Sequence, residues 1–426
     1  MSFYTTEDST YLNRFIDKKF HNNVSIVKFS NKSKSLLEQL LKTIAFANIE
    51  YKKADIKSQL IPVGNDNVFP RGYNYNYCKD NIKSEIENMN KTSCIYTIKI
   101  KNREFQVSFI APNNFTNIEN YFEQSIKLVY IWLYLACKYS PAKCSHKINI
   151  YLYLTPLKKH LPTSGYYIDE NHANTAFTTS CKTITEINIF RQEEWFKVLI
   201  HETFHCMGLD FSEFEQTNID KHVLSIFPVN SDVRLFETYC EMWAEIINVL
   251  IISYFSNKKI DDIENITIDN TNEMIKKCEK LLEIEQTFSV FQCAKVLKFF
   301  DLEYTDLYEL HCKYKRDSNY KEDTHVLSYY ILKCIYMFHV NEFIEWCSDY
   351  NKNGIINFNK QPHLVENNMY EYFLFIREHY KNPEFIKAVN GMLSWFHKTQ
   401  KKLSKSLRNV DKFELKTLRM SIHEII

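Results

Sequence analysis

The segment that most constrains the fold is a short apolar run that carries two histidines and a glutamate. Residues 195–208 read WFKVLIHETFHCMG and contain the pattern His-Glu-x-x-His. Residues four apart share one face of an α-helix, so His201 and His205 can present both imidazoles to one point. Buried ionisable groups need partners, and a metal ion would serve both rings and the intervening Glu202. The run therefore predicts a buried helix with a metal site on one face.

The residues around the pattern support a helix of limited length. Glu193 and Glu194 precede it, and we expect them in the first turn, where the helix dipole favours negative charge. Gly208 follows His205 by three residues, where a helix can end in the left-handed conformation that glycine adopts easily. The predicted helix is apolar away from the histidines through Trp195, Leu199, Ile200, Phe204 and Met207.

The chemistry of these residues favours zinc. Two neutral imidazoles and a third protein ligand suit a tetrahedral Zn²⁺ whose fourth position holds water. Glu202 is adjacent to the first histidine and can act on that water as a general base. We therefore predict one Zn²⁺ held by His201 and His205, with Glu202 as the catalytic residue.

A third ligand is expected on the helix predicted from Asp232 to Tyr254. Glu237, Glu241 and Glu245 lie four residues apart there, so their like charges form a stripe. Such pairs destabilise a helix by a few tenths of a kcal/mol each, and a nearby cation would relieve the repulsion. The interpretation without a metal is a solvated acidic face.

Together the two motifs resemble the gluzincin type of zincin metallopeptidase, in which a glutamate on a later helix completes the zinc site. The resemblance implies Glu237 as the third ligand and Glu241 as the support of a metal-binding histidine. The alternative lies one turn later, with Glu241 as ligand and Glu245 as support. A metzincin site would instead need His or Asp three residues after Gly208, where Phe211 stands.

Two further resemblances concern narrower groups. The pattern Glu-x-aromatic-x-Glu-x-aromatic that begins at Glu237 is similar to the third-ligand helix of the anthrax lethal factor group. The bias towards Asn, Lys, Ile and Tyr, with the core His-Glu-Thr-Phe-His, is similar to uncharacterised metallopeptidases of large DNA viruses.

Periodicity before the motif predicts the fold class. Apolar and polar residues alternate in short segments, and one longer segment has helical spacing. We expect strands at Ile95–Lys101, Phe105–Ile110, Lys147–Leu154, Asn174–Ser180 and Thr183–Phe190, with a helix at Phe115–Tyr139. The prediction is an α+β fold, zincin-like by resemblance, with a mixed or antiparallel sheet over the active-site helix and a largely helical C-terminal lobe. The predicted division is an N-terminal accessory region over residues 1–92, a catalytic domain over 93–258 and a helical lobe over 259–426.

The substrate-binding residues are predicted from the sheet and the adjoining loops. A polar edge strand can align a peptide by β-augmentation, so we expect a polypeptide substrate along one such strand. Its residues are Asn174, Thr175, Ala176, Phe177 and Thr178. A transition-state donor is usually also required. Candidates in the adjoining loops are Tyr166, Tyr167 and His222.

Composition limits the partners and the location. The 53 basic and 52 acidic residues balance, which indicates neither nucleic acid nor an anionic membrane surface. No apolar run reaches the ~18 residues that a bilayer span requires. The first 20 residues are polar, so we expect no secretory signal and free thiols at all 12 cysteines. We predict a reducing, cytoplasmic location, or the host cytoplasm or virion if the protein is viral; the oligomeric state is left open.

The predicted function is that of a zinc-dependent metallopeptidase in which Glu202 assists the attack of a zinc-bound water. One alternative is a zincin-fold scaffold or virion protein whose cleft binds a partner without cutting it. A second is a structural interaction protein without metal. The intact Glu202 favours activity, because a structural zinc site does not need a general base.

Overall fold

The computed structural model describes ten segments of the chain: residues 5–20, 23–24, 26–62, 79–88, 91–112, 118–163, 167–256, 268–352, 355–405 and 412–425. Within them the chain forms an α+β fold with a mixed six-stranded sheet and a largely helical remainder, as predicted.

The first half of the chain contains the sheet and the helices that cover it. In order, the elements are α1 (Glu7–Phe20), α2 (Asn31–Lys53), β1 (Lys57–Pro62), α3 (Asp80–Asn88), β2 (Lys91–Ile100), β3 (Arg103–Pro112), α4 (Ile118–Tyr139), β4 (Lys147–Thr155), α5 (Glu170–Ala173), β5 (Ala176–Thr178), β6 (Ile184–Arg191) and α6 (Trp195–Cys206). The strands predicted at Ile95–Lys101 and Phe105–Ile110 correspond to β2 and β3, and the helix predicted before β4 corresponds to α4. Their bounds differ from the prediction by a few residues.

The second half is helical. Its elements are α7 (Thr217–Ile226), α8 (Leu235–Phe255), α9 (Ile268–Phe299), two 3₁₀ turns (Tyr304–Leu307 and Leu310–Cys312), α10 (Lys313–Asn319), a π-helical segment (Leu327–Leu332), α11 (Lys333–Phe338), α12 (Val340–Tyr350), α13 (Val365–His379), α14 (Pro383–Lys405) and α15 (Phe413–Lys416). None of the helices in the described segments combines the length and the apolar character needed to cross a bilayer.

The strand order is β1-β2-β3-β4-β6-β5. β4 pairs parallel with both β3 and β6, and the other pairs are antiparallel. Alternation along β4 gives each face its own core: Ile148, Ile150 and Leu152 join the main core, whereas Tyr151 and Tyr153 face a smaller cluster with residues of α3. The strand predicted at Asn174–Ser180 corresponds to β5, which lies at the end of the sheet and is therefore an edge strand, as predicted.

One large core connects all three predicted segments of the chain. Leu37 of α2, Ile150 of β4 and Leu297 of α9 are fully buried members of the same cluster. The boundaries near residues 92 and 258 stay predictions, because a shared core does not locate a domain boundary.

Two cysteines depart from the expectation of free thiols. Cys144 and Cys181 form a disulfide, whereas the other nine cysteines within the described segments are free. Cys144 precedes β4 by three residues and Cys181 precedes β6 by three, and Lys147 pairs with Ile184 in the parallel register. Pairing of the two strands therefore brings the thiols together. The cellular compartment stays a prediction.

The active-site helix α6 ends as expected but begins differently. Gly208 is left-handed, with φ 63°, and the bonds from Gly208 N to His205 O and from Leu209 N to Phe204 O form a Schellman motif. At the other end, Glu193 and Glu194 lie outside the first turn. The carboxylate of Glu194 instead pairs with Lys159 and accepts hydrogen bonds from the backbone of Met420 and Ser421. Contacts with residues distant in sequence, and not the helix dipole, therefore stabilise the carboxylate of Glu194.

Candidate metal centre

The site is built on two packed helices. Every residue of α6 is buried, and Phe204 stacks on Trp132 of α4 at a centroid distance of 5.8 Å. α6 follows β6 after a short turn and packs against α8, which is buried from Leu235 to Tyr254 apart from Phe236. Glu237 lies in the first turn of α8 and faces the histidines of α6. The elements are therefore held rigidly by the core on all sides except one.

Three potential ligand atoms converge at this junction. His201 Nε2 lies 3.0 Å from Glu237 Oε2 and 3.1 Å from His205 Nε2. The remaining side of the triangle, from His205 Nε2 to Glu237 Oε2, measures 3.5 Å. All three side chains are buried.

The triangle has the dimensions of a metal site. Ligand bonds of about 2.05 Å in a tetrahedral zinc complex place neighbouring ligand atoms about 3.3 Å apart. The three observed separations, 3.0, 3.1 and 3.5 Å, average close to that value. These groups could therefore hold a metal ion with little rearrangement.

The outer nitrogen of each imidazole faces a carboxylate. His201 Nδ1 lies 2.8 Å from Glu241 Oε1, and His205 Nδ1 lies 2.5 Å from Asp210 Oδ2. The ionised carboxylate of Asp210 accepts a hydrogen bond from His205 Nδ1, and that of Glu241 pairs with His201 Nδ1. In a neutral ring whose proton is on Nδ1, the lone pair is on Nε2 and faces the shared point. Such contacts fix the tautomer and the orientation of metal-binding histidines.

Excess negative charge dominates the electrostatics of the site. Burial opposes the charged form of His201, but the carboxylates of Glu241 and Glu237 outweigh it and raise the pKa of His201 to about 9. Burial also opposes charge on His205, yet Cys240, Asp210 and Glu237 raise its pKa well above the ordinary value. Burial would raise the pKa of Glu237, but the two histidines bring it well below the usual range. A divalent cation could replace the protons that the histidines otherwise hold.

The acidic stripe on α8 divides among different partners. Glu237 faces the inner nitrogens of both histidines, whereas Glu241 contacts His201 and Lys197. Glu245 pairs with Lys333, and both side chains are fully buried. The repulsion among the three glutamates of α8 is thus relieved by different histidine and lysine partners, and a metal is not the only cation available to them. The distances favour Glu237 as ligand over the arrangement one turn later.

A cleft of about 410 Å³ opens onto the triangle. Its lining includes the side chains of His201, Glu202, His205 and Glu237, together with Asn174, Ala176, Phe177 and Thr178 of the predicted edge strand. Thr175 is buried and is not among the lining residues. Arg234, Phe236, His325 and Tyr329 also line the cleft. The cleft therefore joins the predicted metal ligands, the predicted base and the predicted edge strand.

Two of the predicted transition-state donors, Tyr167 and His222, are not among the residues that line the cleft. Tyr166 lies outside the described residues. Tyr167 is 45% exposed, and His222 lies on α7, where its ring stacks on Phe373 and contacts Tyr370 edge-on, each at 5.3 Å. Both are candidates by their place in sequence next to the motif, but the chain carries them to other surfaces.

Several site residues were missed by the sequence predictions. Asp210 faces His205 because the left-handed turn at Gly208 reverses the chain; its position two residues after that glycine was the available signal. Lys197 carried a second signal, since it lies one turn before His201 within an apolar helix. Tyr329 lies in the π-helical segment, and His325 lies two residues before that segment begins. Both are far from the motif along the chain, and no local sequence pattern indicates them.

Comparison of the chain with protein-family models, with curated proteins and with solved structures finds no match in any of the three.

The two carboxylates beside His201 should differ in their effect on metal binding. We expect Glu237→Gln to lower zinc affinity by more than about 100-fold, because it replaces a ligand atom. Glu241→Gln should lower it by about 10- to 100-fold, as loss of a supporting partner does. Competition with a fluorescent chelator measures both, with Glu213→Gln as a control that leaves the site intact. A larger effect at Glu241 than at Glu237 would contradict the ligand assignment.

Metal uptake should release protons and strengthen with pH. The pKa of His201 is raised to about 9 without metal, so this ring is protonated at pH 7 and must become neutral to bind. Between pH 6 and 8 we expect zinc affinity to rise about tenfold per pH unit for each displaced proton. Calorimetry in buffers of different ionisation enthalpy counts these protons. Zinc affinity that does not change over this range would show that the histidines are already neutral.

Proposed function

We propose that the protein is a zinc-dependent metallopeptidase of the gluzincin type, with a zincin-like catalytic fold. The observation that carries the proposal is the ligand triangle of His201, His205 and Glu237 with Glu202 beside it in one cleft. Two imidazoles and one carboxylate form a ligand set that is typical of catalytic zinc, because a fourth position stays open. Zinc, when bound, supplies an acidic water molecule and polarises the scissile carbonyl.

Glu202 is the residue that moves the proton. Its side chain is largely buried and lines the cleft together with those of His201 and His205. Burial raises the pKa of Glu202, although His201 and His205 oppose the shift. A carboxylate whose pKa lies closer to neutrality can take a proton from the attacking water and then return it to the leaving amine.

The substrate backbone is expected to lie along β5. This strand is the last of the sheet on its side, and all three of its residues line the cleft. A peptide that pairs with it would extend the sheet and bring a carbonyl over the ligand triangle. Phe177 and Phe236 both line the cleft, so the side chains of a bound peptide could contact aromatic rings there.

Tyr329 replaces the loop residues as the candidate transition-state donor. Burial raises the pKa of Tyr329 well above its ordinary value, and Glu237, Glu241 and Glu202 raise it further. The hydroxyl therefore keeps its proton and stays a hydrogen-bond donor near these carboxylates. Tyr329 belongs to a π-helical segment, a rare conformation that occurs often at functional sites.

The decisive experiment is a peptide-library digest with zinc-loaded wild type and Glu202→Gln. We expect the variant to lose about 10²- to 10⁴-fold in activity, because proton transfer loses its carrier, while its zinc content stays at the wild-type level. Glu213→Gln, an acid paired with Lys360 outside the cleft, should retain wild-type activity. A wild type that binds zinc and peptides but cuts nothing would support the scaffold alternative instead.

Replacement of Tyr329 should affect turnover more than binding. Tyr329→Phe removes one donor and keeps the ring, so we expect kcat to fall by about 10²- to 10³-fold with KM changed by less than about threefold. Steady-state kinetics on a peptide found in the library digest measures the split. Tyr314→Phe, at an 86% exposed ring, is the matched control. An unchanged kcat would remove Tyr329 from the mechanism.

A further inference from the structure

A lysine lies inside the metal centre. Lys197 is one helical turn before His201 on α6, and only 1% of its side chain is exposed. Burial of an ammonium group costs several kcal/mol unless it is paired and hydrogen-bonded, so a lysine at this depth needs a specific partner. That partner is Glu241 of α8.

Glu241 is held from both sides. Its Oε2 accepts a hydrogen bond from Lys197 Nζ, and its Oε1 lies 2.8 Å from His201 Nδ1. The three side chains thus form a continuous row that ends at the ligand triangle, because His201 Nε2 is one corner of that triangle. Orientation of the carboxylate determines which atom faces the imidazole.

Without Lys197 the position of Glu241 would be poorly determined. Glu237 and Glu245 lie one turn away on either side of α8, the spacing at which like charges on a helix repel. Lys197 supplies the attraction that draws Oε2 to one side and directs Oε1 at His201. Since Lys197 and His201 lie on one face of the same rigid helix, the row has little freedom.

We propose that Lys197 is a positioning residue of the metal centre: it orients Glu241 so that His201 keeps its proton on Nδ1 and presents Nε2 to the metal. The inference rests on the metal centre of the proposed function but not on peptide cleavage. A lysine outside the His-Glu-x-x-His motif would then contribute to the affinity of the site for metal.

The chain contains a matched control for this pair. Lys333 and Glu245 form a second buried lysine–glutamate pair, with 2% and 0% of their side chains exposed. Glu245 is on the same helix as Glu241, one turn further on, but no histidine contact of its carboxylate is present among the described residues. Loss of Lys333 therefore removes a similar buried ion pair that makes no direct contact with the described residues of the ligand triangle.

The test compares zinc affinity in Lys197→Met and Lys333→Met by chelator competition, with thermal unfolding of both zinc-free proteins. We expect Lys197→Met to weaken zinc binding by about 10- to 100-fold, as for other supporting contacts. Lys333→Met should lower thermal stability by a similar amount and leave zinc affinity within about threefold. Lys197→Arg retains a cation and should recover most of the affinity. In ¹H–¹⁵N spectra of the zinc-loaded protein, solvent exchange of the His201 Nδ1 proton should be faster in Lys197→Met than in wild type.

Equal zinc affinities of Lys197→Met and wild type would overturn the proposal, as would equal losses in the two methionine variants. If Lys197→Met does not fold, Lys197→Gln against Lys197→Arg gives the same comparison with smaller changes in packing, and equal affinities there also overturn it. A wild type that binds no zinc would overturn both this inference and the proposed function. A wild type that binds zinc without cutting peptides leaves this test valid and removes only the peptidase.

Discussion

The structure depends on the contact between α6 and α8, where ionisable side chains from two apolar helices meet in the interior. His201 and His205 face Glu237 on the inside of this contact, and Glu241 and Asp210 face the outer nitrogens of the two rings. None of these groups would be stable alone at such depth, because unpaired buried charge is expensive. Each of these groups is stabilised by the opposite charges of its neighbours. The residues of the site therefore depend on one another for their burial.

Packed elements surround this set of charged groups. α6 is enclosed by α4, α8 and the sheet, and its C-terminal end is closed by the Schellman turn at Gly208. A Cβ at position 208 would come within 2.8 Å of Cys144 Sγ, so glycine is needed there for its conformation and for space. The disulfide of Cys144 thus packs against the turn that directs Asp210 towards His205.

The cleft is assembled from parts that are distant in sequence. β5 contributes lining residues from the middle of the chain, and His325 and Tyr329 contribute others from the helical second half. Only the two histidines and Glu202 form a local unit. The positions of the other lining residues therefore depend on the packing of the common core.

The sequence by itself determined the helical face that carries His201, Glu202 and His205, the end of that helix at Gly208, five of the six strands and the acidic stripe on α8. These features follow from backbone periods of two and 3.6 residues, which depend only on neighbours along the chain. The first strand, β1, was not predicted. The tertiary structure alone decided which carboxylate meets the inner nitrogens, that Glu194 serves Lys159 and not the helix dipole, and that Cys144 meets Cys181. It also decided that Tyr329, and neither Tyr167 nor His222, lines the cleft. The physical reason is that such contacts depend on how helices pack and how parallel strands align, and residues distant in sequence leave no local pattern for that.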